Sequence, residues 1–180
     1  RSWFRAARLH QWAKNILVFV PAVAAQRLSE AEIHDQCVIA FMAFCLMASG
    51  TYILNDILDI DSDRSHPTKR ARPFARGDLQ ITEGMGAVAL LIGTAIVLGF
   101  FLLGWLFFMV QGGYILVALW YSFDLKRRPV TDILCLAGLY TGRILAGSAA
   151  TLIEPSFWLL AFSMFLFFSL AAAKRTTELT

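Results

Sequence analysis

Residues 36–63 read QCVIAFMAFCLMASGTYILNDILDIDSD. The stretch 36–54 carries no charged residue. A bilayer span takes ~20 mostly apolar residues, so this run predicts a membrane-crossing helix. It continues without a break into Asn55-Asp56-Ile57-Leu58-Asp59-Ile60-Asp61-Ser62-Asp63. With a helical repeat of about 3.6 residues, Asp56, Asp59 and Asp63 fall on one face, Asn55 lies beside it and Asp61 points elsewhere.

Three carboxylates on one face repel each other, and near a bilayer they are costly unless a cation sits among them. Hard oxygen ligands suit Mg²⁺, which keeps several waters and completes its shell with substrate phosphates. The motif therefore points to a magnesium-held diphosphate, with Asn55, Asp56, Asp59 and Asp63 as the metal residues. A solvated helix end is the plainer alternative. A calcium loop is excluded, because the D-x-D-x-D opening at Asp59, Asp61 and Asp63 is followed by Arg64 where glycine is required and by Arg70 where glutamate is required.

The next stretch, His66-Pro67-Thr68-Lys69-Arg70-Ala71-Arg72-Pro73, gathers three cations in a loop stiffened by two prolines. Arginine forks grip phosphate bidentately and lysine acts as a point charge. Carboxylates for the metal, followed by bases for phosphate oxygens, make a diphosphate clamp. Topology alone would account for the basic residues, but not for their pairing with the aspartates.

Outward from this motif the chain is apolar throughout. Of its 180 residues 58% are hydrophobic, against about 45–50% in soluble domains, and its mean hydropathy is +0.61. Six spans are expected, at residues 15–25 (short), 36–54, 85–103, 106–123, 133–153 and 156–173. The breakers are residues 29–35, the polar stretch 59–83, Gly104, residues 126–129 and Glu154-Pro155. Short loops rich in Lys and Arg stay in the cytoplasm. Arg1, Arg5, Arg8 and Lys14 precede the first span; Arg64, Lys69, Arg70, Arg72 and Arg76 follow the second; Lys126, Arg127 and Arg128 follow the fourth; Lys174 and Arg175 follow the sixth. Arg27 alone falls in an opposite loop, and Arg143 lies within the fifth span. This predicts a multi-pass protein of the cell membrane, with its amino end and its site toward the cytoplasm.

Gly138, Gly142 and Gly147, with Ala146 and Ala149, suit close helix approach in lipid. Cys37, Cys45 and Cys135 read as small buried hydrophobes, with no paired or ligand-like spacing. No secretory signal is expected, and with Arg1 rather than Met at the start the chain is expected to be a piece of a longer protein.

The Asn55-Asp56-x-x-Asp59-x-x-x-Asp63 motif, with His66-Pro67-x-Lys69-x-x-Arg72-Pro73 behind it, resembles the first signature of the UbiA-type membrane prenyltransferase superfamily. The resemblance implies an all-α polytopic bundle of nine transmembrane helices with a metal site near the cytoplasmic face. Residues 1–180 would be a partial catalytic domain of about six of those helices, truncated at its carboxyl end. Three further stretches resemble the polyprenyl-phosphate phosphoribosyltransferase branch: Gln11-Trp12-Ala13-Lys14-Asn15; Tyr121-Ser122-Phe123-Asp124-Leu125-Lys126-Arg127; and Leu139-Tyr140-Thr141-Gly142-Arg143. Prenyl-diphosphate users carry a second aspartate-rich motif near the end of the sixth helix. Here that region reads Lys174-Arg175-Thr176-Thr177-Glu178, a phosphate grip more than a second metal site.

That branch implies transfer of phosphoribose from phosphoribosyl diphosphate to a polyprenyl phosphate. Asp56 and Asp59, with Lys69 and Arg72, would carry the chemistry at the departing diphosphate, with Mg²⁺ as cofactor. Substrate binding is expected of Lys14, Asn15, Arg70, Tyr121, Lys126, Arg127, Tyr140, Arg143, Lys174, Arg175 and Glu178. No general base is required, because the acceptor oxygen is already an anion; His66 either contacts phosphate or shapes its loop. Arg143 either meets the acceptor or ribose phosphate, with Tyr140 one turn away, or pairs with a carboxylate such as Asp132. Two other readings compete: a prenyltransferase acting on an aromatic acceptor, and a cation-binding transporter. Nucleic-acid binding is not expected, since the basic residues follow membrane topology; a homo-oligomer is compatible with the sequence.

Overall fold

The computed structural model describes residues 2–123 and 129–179, with side chains for 2–121 and 131–173. The described residues are helical and contain no strand. A short helix α1 (Ser2–Ala7) leads into a 3-10 stretch, Leu9–Phe19, and then α2 (Val20–Ala24). The long helix α3 (Ala31–Leu58) runs to the acidic motif. The connection that follows contains α4 (Ile60–Ser65), a 3-10 turn (Lys69–Ala71) and α5 (Pro73–Arg76). Four more long helices complete the bundle: α6 (Ile81–Leu103), α7 (Trp105–Phe123), α8 (Pro129–Thr151) and α9 (Phe157–Leu179).

Spans two to six thus appear where apolar length predicted them. Three stretches, Ala31–Leu58, Ile81–Leu103 and Thr131–Thr151, are long and apolar enough to cross a membrane. Trp105–Tyr121 and Phe157–Ala173 are shorter apolar helices. The first expected span differs. It is not one regular helix but the 3-10 stretch and α2 in series, with Pro21 in the opening turn of α2. Gly104 separates α6 from α7 with φ +84, a backbone state open to glycine at no steric cost.

Helix α3 forms the axis of the bundle. It packs along α6 on one side and against the Leu9–Phe19 stretch, α7 and α8 on others, while α8 also holds α7 and α9. The main core joins Val18, Ala40, Ala43, Phe44, Phe107 and Ala146. The Phe44 ring meets Phe107 edge-on at 6.0 Å and Tyr114 at 5.0 Å. A second cluster, Ala6, Ile53, Ile60, Phe74 and Val88, lies beneath the acidic connection and ties α1 and α5 to α3 and α6. The outer faces are apolar too: Phe101, Phe157, Trp158 and Phe165 are each more than 70% exposed, as suits a lipid-facing surface.

The expected close approaches are present at two of three glycines. A Cβ on Gly147 would collide with the backbone carbonyl oxygen of Val18, and one on Gly142 would lie 3.3 Å from the Tyr114 ring. Gly138 has nothing within 4 Å of that position, so close packing does not explain it. Ala146 and Ala149 are buried in the core, as are Cys37 and Cys45; Cys135 is half-buried. On the opposite side of the bundle, Arg27 donates from Nε and Nη2 to the Glu30 carboxylate, both at 2.8 Å. That hydrogen bond holds the Glu30 carboxyl below its usual range and offsets the one cation in that loop.

Candidate active site

The helical ladder of α3 stops at Asp59, whose backbone (φ −95, ψ 10) departs from helical values before α4 resumes at Ile60. Asp56, in the last turn of α3, and Asp63, in α4, are therefore carried by two different helices. Both are nevertheless buried, and they converge on the same side chain. Arg72 Nη1 lies 2.7 Å from Asp63 Oδ2 and 3.3 Å from Asp56 Oδ1. Arg8 completes the group, with Nη2 2.6 Å from Asp56 Oδ1 and its guanidinium 5.0 Å from the Tyr52 ring centroid.

Arg8 holds a left-handed backbone (φ 49, ψ 50), unusual outside glycine. Its neighbours fix that conformation. Ser49 Oγ donates to the Ala7 carbonyl at 2.9 Å and itself accepts from Trp12 Nε1 at 3.0 Å. On the other wall, His66 Nδ1 accepts from the Thr68 amide at 3.3 Å and the Lys69 amide at 3.5 Å. The histidine thus shapes the loop that presents Lys69. Between these walls lies an open cleft of about 360 Å³ lined by Arg5, Arg8, His10, Asp56, Lys69 and Arg72 among others. Four of its side chains, Arg5, Arg8, Lys69 and Arg72, are basic.

A second cavity, about 160 Å³, also borders the end of α3. Asn55 lines it, together with Lys14, Tyr121, Tyr140 and Arg143. Tyr52 and Tyr114 complete the wall, so all four tyrosines of the chain face one space. Arg143 Nε donates to Asn15 Oδ1 at 2.9 Å and Nη1 to the Leu139 carbonyl at 3.1 Å. Asp132 accepts instead from the Tyr121 hydroxyl at 2.7 Å. The alternative expectation of an Arg143–Asp132 pair is thereby corrected: the tyrosine across from Asp132 satisfies it, and the amide of Asn15 orients the arginine.

The residues expected from sequence thus divide into two groups. Asp56, Lys69 and Arg72 line the cleft, with Asp63 behind Arg72. Lys14, Asn55, Tyr121, Tyr140 and Arg143 line the cavity, with Asn15 behind Arg143. Asp59 and Arg70 line neither of these two spaces. Lys126 and Arg127 lie outside the described residues, as do the side chains of Lys174, Arg175 and Glu178. Among the described residues no three Asp, Glu, His or Cys side chains converge to hold a metal unaided. The two carboxylates that share Arg72 still fit magnesium, which takes one or two protein carboxylates and fills the rest of its shell with water and substrate phosphate. Arg8, Arg5, Tyr52 and Tyr114 were not singled out from sequence. The basic pair was absorbed by topology; the tyrosines left one signal, their scarcity beside 15 phenylalanines.

Fold and site together define an α-helical membrane bundle with a mixed acidic and basic cleft where its helices end. The chain belongs to the UbiA prenyltransferase family, whose model matches residues 16–177. It is 39% identical to the nodulation protein NoeC of Azorhizobium caulinodans, over 99% of this chain and 58% of that protein. It is 37% identical to the decaprenyl-phosphate phosphoribosyltransferase of Corynebacterium glutamicum, over 97% of this chain and 54% of that protein. In three dimensions it resembles a UbiA homolog from Archaeoglobus fulgidus bound to GPP and Mg²⁺, with a TM-score of 0.77 at 18% identity, over 94% of this chain and 61% of that one. The chain therefore spans a little over half the length of these relatives. The family and the phosphoribosyltransferase resemblance read from the motifs agree with these matches.

Proposed function

We propose that this chain provides the diphosphate-binding part of an integral-membrane transferase that moves phosphoribose from phosphoribosyl diphosphate to a polyprenyl phosphate. The observation that carries the proposal is the convergence of Asp56 and Asp63 on one cationic nitrogen of Arg72, at 3.3 and 2.7 Å, beside a cleft ringed by Arg5, Arg8 and Lys69. The likeness to the corynebacterial phosphoribosyltransferase supports the donor.

Asp56 and Asp63 would hold Mg²⁺, with Asn55 and Asp59 as its neighbours at the break between α3 and α4. The ion would supply charge neutralisation for the departing diphosphate and a template for its oxygens. Arg72, Arg8 and Lys69 hold the same oxygens as negative charge builds on them. In the transfer, an oxygen of the acceptor phosphate attacks the anomeric carbon, a new C–O bond forms, and the C–O bond to diphosphate breaks with its electron pair leaving on the diphosphate. The attacking oxygen is an anion already, so no side chain needs to remove a proton from it. Lys126, Arg127, Arg70, Lys174, Arg175 and Glu178 would contribute to substrate binding, as the resemblance to the phosphoribosyltransferase branch implies. The distribution of basic residues supports a cytoplasm-facing site and amino end in the cell membrane.

Donor turnover by the full-length protein in detergent tests this. Given polyprenyl phosphate, Mg²⁺ and labelled phosphoribosyl diphosphate, the wild type should put label in the lipid phase and Asp56→Ala should not. Prenylated product from labelled prenyl diphosphate and an aromatic acid, with no phosphoribosyl lipid, would overturn the proposal in favour of a prenyltransferase.

A further inference from the structure

Arg8 is bound to a carboxylate oxygen that a metal in this cleft would need. Asp56 Oδ1 takes Arg8 Nη2 at 2.6 Å and Arg72 Nη1 at 3.3 Å, and Asp63 Oδ2 takes the same Arg72 nitrogen at 2.7 Å. Two buried carboxylates thus meet two guanidiniums, and their charges cancel. Around them the cleft is basic: Arg5, Arg8, Lys69 and Arg72 line it, and Asp56 is the one carboxylate among its described lining residues. A bare divalent cation entering here finds its ligands already paired and like charges on every side. A diphosphate that has taken up one divalent ion still carries net negative charge, and it offers the guanidiniums new oxygens.

The two arginines are not equally free to change partners. Arg72 bridges Asp56 and Asp63 and so holds the pair together. Arg8 meets Asp56 alone among the described carboxylates, and its side chain is 27% exposed. It stands at the joint between α1 and the Leu9–Phe19 stretch, in a left-handed backbone state sparsely populated outside glycine. The main chain beside it is fixed, because the Ala7 carbonyl accepts from Ser49 Oγ, which accepts in turn from Trp12 Nε1. The mobile part is therefore the side chain, which already lines the cleft and lies over the Tyr52 ring at 5.0 Å.

We propose that Arg8 is a counter-ion latch on Asp56: it refuses the bare metal and releases the carboxylate only when diphosphate arrives with the ion. Metal and donor then bind as one complex, and the guanidinium that leaves Asp56 transfers to the diphosphate. This rests on the reading of the cleft as a metal–diphosphate site, but not on which group the enzyme transfers or to what acceptor.

Metal binding without turnover tests the latch. Full-length wild type and Arg8→Gln in detergent would be titrated with Mn²⁺, followed by the paramagnetic resonance of the free ion, first alone and then with inorganic diphosphate. Removing a charged hydrogen bond that competes for Asp56 should tighten Mn²⁺ alone by roughly 10- to 100-fold in Arg8→Gln. The same variant, at saturating Mn²⁺, should bind diphosphate roughly 10-fold more weakly, because a phosphate contact is lost. These opposite changes separate a latch from the simpler roles. Unchanged Mn²⁺ affinity with weaker diphosphate would make Arg8 a phosphate ligand only, and weaker Mn²⁺ would make it a structural support; either result overturns the latch. Wild type that binds no Mn²⁺ even with diphosphate would overturn the reading of the cleft itself. Hydrogen exchange of wild-type residues 2–12, read by mass spectrometry, keeps the test decisive if the variant does not fold. Exchange there should change with Mn²⁺ plus diphosphate and not with the same Mn²⁺ alone; a change with both, or with neither, overturns the latch.

Discussion

Gly147→Ala should destabilise the bundle even though alanine is the better helix former. The new Cβ would collide with the Val18 carbonyl oxygen and lie 2.8 Å from its carbonyl carbon and 3.1 Å from its Cα. Those three atoms are backbone of a fully buried residue, so no side chain can rotate away. Ordinary nonbonded separations lie at ~3.5–4.0 Å, so α8 and the Leu9–Phe19 stretch must move apart. Overpacking of this kind costs ~1–3 kcal/mol, against a gain of up to ~1 kcal/mol from helix propensity. A contact this close to backbone lies in the upper part of that range, ~2–3 kcal/mol, and the net loss of about 1–2 kcal/mol corresponds to a melting temperature lower by roughly 2–8 °C for a chain of this size. Gly138→Ala on the same helix is the control: nothing lies within 4 Å of its Cβ position, so only the propensity gain remains and the melting temperature should hold or rise. Circular dichroism melts of the full-length protein in one detergent would compare them. The shift should also reach the site, because Asn15 precedes Val18 by three residues and Arg143 precedes Gly147 by four. The 2.9 Å Asn15–Arg143 bond spans the same contact one turn away, so the proposed transfer should slow in Gly147→Ala alone. Equal melting temperatures for the two variants would refute the reasoning, as would a rise in Gly147→Ala.

Asp63→Asn should lower both stability and magnesium-dependent donor turnover, since Asp63 is buried and takes the 2.7 Å contact from Arg72. Loss of that charged hydrogen bond should cost ~1.5–3 kcal/mol, whereas exposed Asp61→Asn should change neither, by thermal melt and labelled-donor assay. Ser49→Ala removes the donor to the Ala7 carbonyl and the acceptor of Trp12 Nε1 together. A melt should show a loss of ~1–3 kcal/mol, and calorimetric titration with Mn²⁺ and diphosphate should show weaker binding, because the left-handed backbone at Arg8 loses its support.

What could be read in the sequence was what is local. Apolar length placed α3, α6, α7, α8 and α9, and the carboxylate spacing with the Lys69–Arg72 loop marked the candidate site and the family. The spacing of Asp56 and Asp63 held across the one-residue break at Asp59: both side chains are buried and reach Arg72, while Asp61 is exposed. Local periodicity failed at the first span, where the apolar residues were counted correctly but 3-10 geometry and Pro21 give two short pieces. The pairs that finish the site were beyond any local pattern. Arg8 meets Asp56 across 48 positions and Arg143 meets Asn15 across 128.

The partition of aromatic residues shows how chemistry and lipid divide this surface. Phenylalanine has no polar atom, and in α6 and α9 residues such as Phe101, Phe157, Phe162 and Phe165 are turned outward. A tyrosine hydroxyl facing lipid tails would lack a partner. All four tyrosines instead turn inward to one cavity, where their faces meet Arg8, Lys14 and Arg143 and one hydroxyl meets Asp132. The tyrosines therefore mark the interior polar path more sharply than the charges do, because the charges also record topology. Asn55 at the end of α3 lines the cavity of Arg143, and Asp56 beside it lines the cleft of Arg8 and Arg72.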